Sequence, residues 1–145
     1  MKMKIKRFSE SVILPEFVGG MEKSNWIDLR SAVEVNLRKG QLRRISLGVG
    51  MKLPEGYEAI IACRSSTPER FGIIQANGIG IIDNSYSGDE DCWGFMAYAL
   101  RDTVIHKNDR ICQFRIQKVQ PEIEFEEVDH LDETSRGGFG STGAR

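Results

Sequence analysis

Asn77 to Asp89 reads NGIGIIDNSYSGD, and this stretch decides how the rest of the chain is read. Ile79, Ile81 and Ile82 are β-formers, and Gly78 and Gly80 are interleaved with them. Asn84, Ser85 and Gly88 then supply turn chemistry, so the run predicts a strand entering a hairpin. The glycines would let a flat ligand approach the backbone. The stretch leaves one carboxylate, Asp83, and one phenol, Tyr86, just beyond the strand. Taken alone, an aspartate in this position is more often a turn residue than a catalyst.

Short β segments continue on both sides. Lys2 to Phe8 alternates charged and apolar residues, Val33 to Leu37 alternates again, and Tyr57 to Cys63 is mostly apolar and β-rich. Val12 to Val18 contains Pro15, which restricts it to an edge strand or an extended linker. Leu42 to Leu53 reads as one strand-like run through Gly48 and Gly50 to a Pro54-Glu55-Gly56 turn. Phe71–Gln75, Trp93–Leu100, Thr103–Ile105, Arg110–Val119 and Ile123–Val128 follow at similar spacing. No apolar pattern holds a 3.6-residue period for three turns. About ten short strands with almost no helix predict an all-β sandwich, jelly roll or distorted barrel.

The chain has 145 residues, enough for one domain with a core of its own. Twenty basic and twenty-one acidic residues give a net charge of −1, so no global basic field exists to hold nucleic acid. An anionic ligand must be held locally. Cys63, Cys92 and Cys112 are odd in number and lack CxxC spacing, which fits buried thiols in a reducing, cytoplasmic compartment. No run is long enough for a membrane span, and MKMKIKRF lacks the apolar region of a signal peptide. Glu122 to Glu133 holds seven carboxylates and reads as a solvated strand face leading into a linker. His106 and His130 are isolated, so surface or structural roles outweigh metal binding.

Three further places carry polar chemistry. Arg64-Ser65-Ser66 brings a guanidinium and two hydroxyls out at the end of an apolar strand, an arrangement suited to anionic oxygens. Asp109 to Phe114 opens a strand whose alternation sets Ile111 and Gln113 opposite Arg110, Cys112 and Phe114, with a turn salt bridge expected between Asp109 and Arg110. Ser135 to Arg145, SRGGFGSTGAR, is too polar and glycine-rich for a core element. Its donors could wrap a polyphosphate and Phe139 could stack on a base. It lacks the Gly-Lys-Ser/Thr ending of a P-loop.

In this order, WIDLRSA around Asp28, CRSSTPERFGI from Cys63, NGIGIIDNSYSGD from Asn77, NDRICQF from Asn108 and RGGFGSTG from Arg136 resemble the five motifs of the trimeric dUTPases. The second, third and fifth are highly specific in combination. The resemblance implies a jelly-roll-like β domain over residues 1–134 and a C-terminal arm over 135–145 that closes a site shared within a homotrimer. It implies hydrolysis of dUTP to dUMP and pyrophosphate, with Asp83 as the general base for an in-line water. Mg²⁺ would be chelated by the triphosphate and touched by Asp28 through a water. Arg64, Ser65, Ser66 and Gln113 match phosphate-binding positions. Asn77 and the backbone through Gly80, Ile81 and Ile82 match the uracil-reading segment, and Tyr86 would pack on the deoxyribose. Arg136, Ser141, Thr142 and the glycines, Gly140 among them, would clamp the outer phosphates, and Phe139 would cover the base.

Two departures from the family pattern stand out. The arm reads RGGFG where RGxGGFG is commonest, and Asp89-Glu90-Asp91 precedes Cys92-Trp93. Trp93 is therefore either core or interface packing, or part of the cover over the base. Two other readings share the scaffold. A dCTP deaminase also carries Arg-Ser-Ser but needs a proton-shuttling glutamate at the cytosine edge. A nucleotide-sensing or protein-binding module would dispense with turnover, which the intact Asp83 argues against.

Overall fold

The computed structural model describes residues 1–138, Gly140 and Gly143. Phe139, Ser141 and Thr142, expected to act in the arm, lie outside the described residues. Strands β1 (Lys4–Arg7), β2 (Ile27–Arg30), β3 (Val35–Leu37), β4 (Leu42–Ser46), β5 (Val49–Lys52) and β6 (Tyr57–Cys63) precede one short helix, α1 (Thr67–Phe71). Strands β7 (Ile73–Gln75), β8 (Gly80–Ile82), β9 (Gly94–Ala99), β10 (Thr103–Ile105) and β11 (Arg110–Lys118) follow it.

All the pairings are antiparallel. A four-stranded sheet runs β2-β11-β6-β8 and a three-stranded sheet runs β4-β9-β7, with β1-β5 and β10-β3 as two-stranded pieces. Strands adjacent in sequence are mostly not adjacent in a sheet, so the chain crosses repeatedly between sheets in a jelly-roll-like way. The fold is all-β, as the strand spacing predicts. Alternation along β6 turns Ala59 and Ile61 into the core, where they meet Phe95, Ala97, Phe114 and Ile73.

Four local expectations are corrected. Leu42–Leu53 is two strands, not one. The chain breaks at Gly48, whose φ of +70° and close approach to Val12 and Ala32 (2.7 and 2.8 Å from a Cβ placed there) exclude a side chain. Phe71 closes α1 instead of opening β7, with Pro68 in the first turn and Gly72 as a left-handed cap. Strand β8 does not form a hairpin with its successor, because β9 pairs with β4 and β7 while β8 joins β6. Ile123–Val128 is not a strand: the segment is exposed throughout, Phe125 to 91%, and pairs with no strand among the described residues.

Val12 to Phe17 forms no strand, and Val18 enters a turn with Gly19. No helix among the described residues is long and apolar enough to cross a membrane.

Candidate active site

The sheet register assembles the first half of the site. Gln113 on β11 lies opposite Asp28 on β2 and Ala62 on β6, so Asp28, Gln113 and the end of β6 share one level of the sheet. Asp28 is buried, and its Oδ2 accepts from Arg64 Nε at 3.2 Å and Arg110 Nη1 at 3.5 Å. A carboxylate held this way aims two guanidiniums rather than leaving them to solvent. The expected Asp109–Arg110 salt bridge does not form. Asp109 Oδ2 accepts the His106 amide instead, and the Ser31 amide donates to the Asp109 carbonyl.

The reason is a β-bulge between Arg110 and Cys112, where Arg110 pairs with Arg30 but Cys112 already pairs with Leu29. The extra residue, Ile111, is buried alongside Cys112, so the strict alternation expected here fails at its first step. The bulge turns Arg110 toward Asp28.

Thr67 closes the Arg-Ser-Ser turn. Its fully buried hydroxyl donates to the Ile111 carbonyl and accepts the Arg64 amide, both at 2.9 Å. Arg64 Nη1 also donates to the Arg110 carbonyl at 3.1 Å. Ser65 is exposed, and Ser66 caps α1 without using its side chain, so that hydroxyl stays available. Gln113 Nε2 donates to the Cys63 carbonyl at 3.0 Å. A polar cavity of about 130 Å³ opens here, lined by Arg30, Arg64, Arg70, Asn108, Asp109 and Arg110 among others. Four guanidiniums around one small cavity suit an anion. Arg30 and Arg70 were not singled out from the sequence, since their convergence depends on folding.

The second half is built on β8. A cavity of about 200 Å³ is lined by Asn77, Gly80, Ile81, Ile82 and Tyr86, with Arg44, Cys92 and Trp93 behind them. Gly80 packs so closely that a Cβ there would lie 3.0 Å from the Gln75 amide and 3.3 Å from Ile61. Gln75 is buried; in the amide orientation that satisfies both ends it donates to the Gly78 and Ile61 carbonyls and accepts the Gly80 amide. This support for the β8 backbone was not legible in the sequence.

Asp83 follows β8 and is exposed. Its neighbour Asn84 donates from Nδ2 to the carbonyls of Pro54 (2.8 Å) and Tyr57 (2.9 Å), which pins the backbone that carries Asp83. Tyr86 is partly exposed and its hydroxyl donates to the Cys92 carbonyl at 3.1 Å.

The two halves are far apart within one chain. Ile82 pairs with Ala59, while Arg64 lies beyond the other end of β6. Five residue steps separate Ala59 from Arg64, roughly 17 Å at about 3.3 Å per residue. One chain therefore presents the carboxylate and the arginine cavity at opposite ends of the same strand.

The dUTPase family model matches residues 20–143, most of the chain. The chain belongs to the dUTPase family. It is 52% identical over 145 residues to the SPbeta prophage-derived deoxyuridine 5'-triphosphate nucleotidohydrolase YosS of Bacillus subtilis (strain 168), covering 100% of both chains. It superimposes with a TM-score of 0.80 on a mutant dUTPase of Staphylococcus bacteriophage 80alpha bound to dUpNHpp, at 22% identity over 98% of each chain. A mutant dUTPase from phage phi11 of S. aureus, described with a coordinated structural Mg(II) ion, matches with a TM-score of 0.76 at 19% identity, covering 92% of this chain and 100% of that one.

Within this dUTPase, no cluster of three or more His, Cys, Asp or Glu side chains among the described residues could hold a metal ion. Asp28 Oδ2 is engaged by two arginines. Such a donor set fits an ion that keeps its waters and arrives on substrate phosphates, not one caged by protein. His106 pairs with Glu34 at the surface, in keeping with a structural role.

Trp93 is not a cover for the base. It is fully buried, edge-on to Phe114 with ring centroids 5.2 Å apart, so it packs the core beneath the pocket. Arg136 and Gly140 are exposed, and among the described residues they line neither cavity. Burial raises the Cys63 thiol pKa. It raises that of Cys112 much further, with Cys63 and Asp28 adding to the effect and Arg64 opposing it.

Proposed function

We propose that this dUTPase hydrolyses dUTP to dUMP and pyrophosphate in a homotrimer, each site combining the Asp83 end of one chain with the arginine cavity of another. The observation that carries this reading is the separation of Arg64 from the Asp83 end of β8 along β6. Asn77 and the backbone of Gly80, Ile81 and Ile82 would meet the uracil edge. Tyr86 would pack on the deoxyribose and leave no room for a 2′-hydroxyl.

Asp83 then removes a proton from a water as its oxygen attacks the α-phosphorus in line. The new oxygen–phosphorus bond forms as the bond to the bridging oxygen breaks, and pyrophosphate leaves with that electron pair. Arg64, Arg110, Ser65, Ser66 and Gln113 neutralise and orient the phosphates, with Asp28 holding the guanidiniums in place. Mg²⁺ on the triphosphate, with Asp28 reaching it through a water, would supply further charge neutralisation. Residues 1–134 act as the β domain and 135–145 as the arm, with Arg136, Phe139, Gly140 and Ser141 closing over the outer phosphates and base. The free thiols of Cys63, Cys92 and Cys112 fit a cytoplasmic location.

The test is pyrophosphate release measured across dUTP, dTTP, dCTP and UTP with Mg²⁺. We expect turnover of dUTP with strong discrimination against the others. Ammonia release from dCTP would replace this reading with the deaminase one.

A further inference from the structure

The carbonyl of Cys92 accepts two hydrogen bonds, one from the Tyr86 hydroxyl at 3.1 Å and one from Arg44 Nη2 at 2.6 Å. The second is short and charge-assisted, from a guanidinium on a different strand. That carbonyl is also fixed from behind. The Trp93 amide donates to the Val49 carbonyl at 2.7 Å, and Asp91 Oδ2 accepts the Gly88 amide at 2.8 Å, which closes the loop on itself. The Asp89–Asp91 stretch that departs from the family pattern is thus the loop that delivers this carbonyl.

A second observation concerns Gly94, one residue past Trp93. A Cβ on Gly94 would lie 2.5 Å from the Arg44 guanidinium carbon. Glycine there leaves the space that the guanidinium fills, at the back of the cavity containing Asn77, Ile81 and Tyr86.

We infer that Arg44 is a positioning residue for Tyr86. Through the Cys92 carbonyl it fixes the phenol ring that tests the sugar, so discrimination between deoxyribo- and ribonucleotide depends on a side chain of β4 that touches neither the reacting phosphorus nor the attacking water. The inference rests on Tyr86 being the sugar test. A tyrosine whose hydroxyl is held at a fixed carbonyl has one place to stand. Released at the hydroxyl, it can swing aside for a 2′-hydroxyl.

Three variants of the full chain test this: Arg44→Met, Arg44→Lys and Gly94→Ala, each assayed for the ratio of kcat/KM on dUTP to kcat/KM on UTP. A ratio taken on one preparation cancels the folded fraction, so partial misfolding does not mimic the effect. Gly94→Ala acts by displacing the end of a flexible side chain, which the fold can accommodate. We expect Arg44→Met to lower the ratio roughly threefold to tenfold, the scale of one hydrogen bond. We expect Gly94→Ala to reproduce that loss and Arg44→Lys to recover part of it. Adding Tyr86→Phe to Arg44→Met should cost little more than either alone, because both remove the same tether.

A wild-type ratio in Arg44→Met, or losses that multiply independently in the double variant, would overturn the inference while leaving dUTP hydrolysis intact. Absence of wild-type turnover on dUTP would instead overturn the reading on which it rests.

Discussion

Arg64 and Asp83 stand at opposite ends of the β6–β8 pairing: Ile82, next to Asp83, lies against Ala59, and Arg64 follows Cys63 at the far end of β6. The proposed phosphate cradle and the proposed base are thus set apart on one chain, and the site we propose draws them from two chains. If sites form between chains, inactive chains should complement one another. Refolding equal amounts of Asp83→Asn and Arg64→Ala chains together should restore wild-type pairs in about a quarter of the sites of a closed symmetric ring. Steady-state dUTP turnover of the mixture checks this, and activity no higher than that of either variant alone would place the site within one chain.

Asp28 is the common acceptor for Arg64 and Arg110, and removing its charge takes from both guanidiniums the anion they share. Fully buried pairs cost more to break than these partly solvated ones, so Asp28→Asn should destabilise the fold by about 1–3 kcal/mol. For a chain of this size that is a Tm lower by roughly 3–10 °C. KM for dUTP should rise as well. A melt and a KM both unchanged would mean that Asp28 neither braces the arginines nor serves the site.

Trp93 packs against Phe114 beneath the cavity of Asn77 and Tyr86, and among the described residues its indole N–H has no partner. Trp93→Phe therefore forfeits no hydrogen bond and should cost little, whereas Trp93→Ala opens a cavity and should cost about 3–5 kcal/mol. Urea unfolding of the two variants separates the outcomes. A folded, fully stable Trp93→Ala with weakened dUTP binding would restore the tryptophan to the cover.

Cys112 is buried with its pKa raised well above the ordinary thiol value, and Cys63 beside it is raised as well. The native state holds those protons more tightly than the unfolded chain, so their contribution to stability is complete below the unfolded pKa of roughly 8.5. It is lost as pH rises through the folded values. Stability should fall above about pH 8.5 more steeply in the wild type than in Cys112→Val. Parallel denaturation curves for both proteins across that range would remove the thiol from the account.

Much of this was legible in the chain because it is local. Asp83, Tyr86, Arg64 and the alternation of Tyr57–Cys63 are read directly, since a strand end and its polar residues share one short segment. What was hidden depends on register. Only the pairing of β2 with β11 reveals that Asp28 meets Arg64 and Arg110. The bulge at Ile111 has no single-residue signature, the supports from Asn84 and Arg44 come from side chains whose partners are distant in sequence, and Gln75 ties its near neighbours Gly78 and Gly80 to Ile61 on another strand. Ile123–Val128 carries the composition of a strand but pairs with none among the described residues. Sequence pattern gives a segment's preference, and pairing decides what becomes of it.

The most direct test of the central claim is pyrophosphate release from dUTP by Asp83→Asn, alongside its affinity for the nucleotide in Mg²⁺. The side chain is exposed after β8 with its backbone pinned by Asn84, so the substitution should leave the fold and binding largely intact. Removal of the base should lower kcat by roughly 10²–10⁴-fold at near-unchanged Kd. A variant that binds dUTP and turns it over at close to the wild-type rate would contradict the assignment of Asp83 as the residue that activates the water.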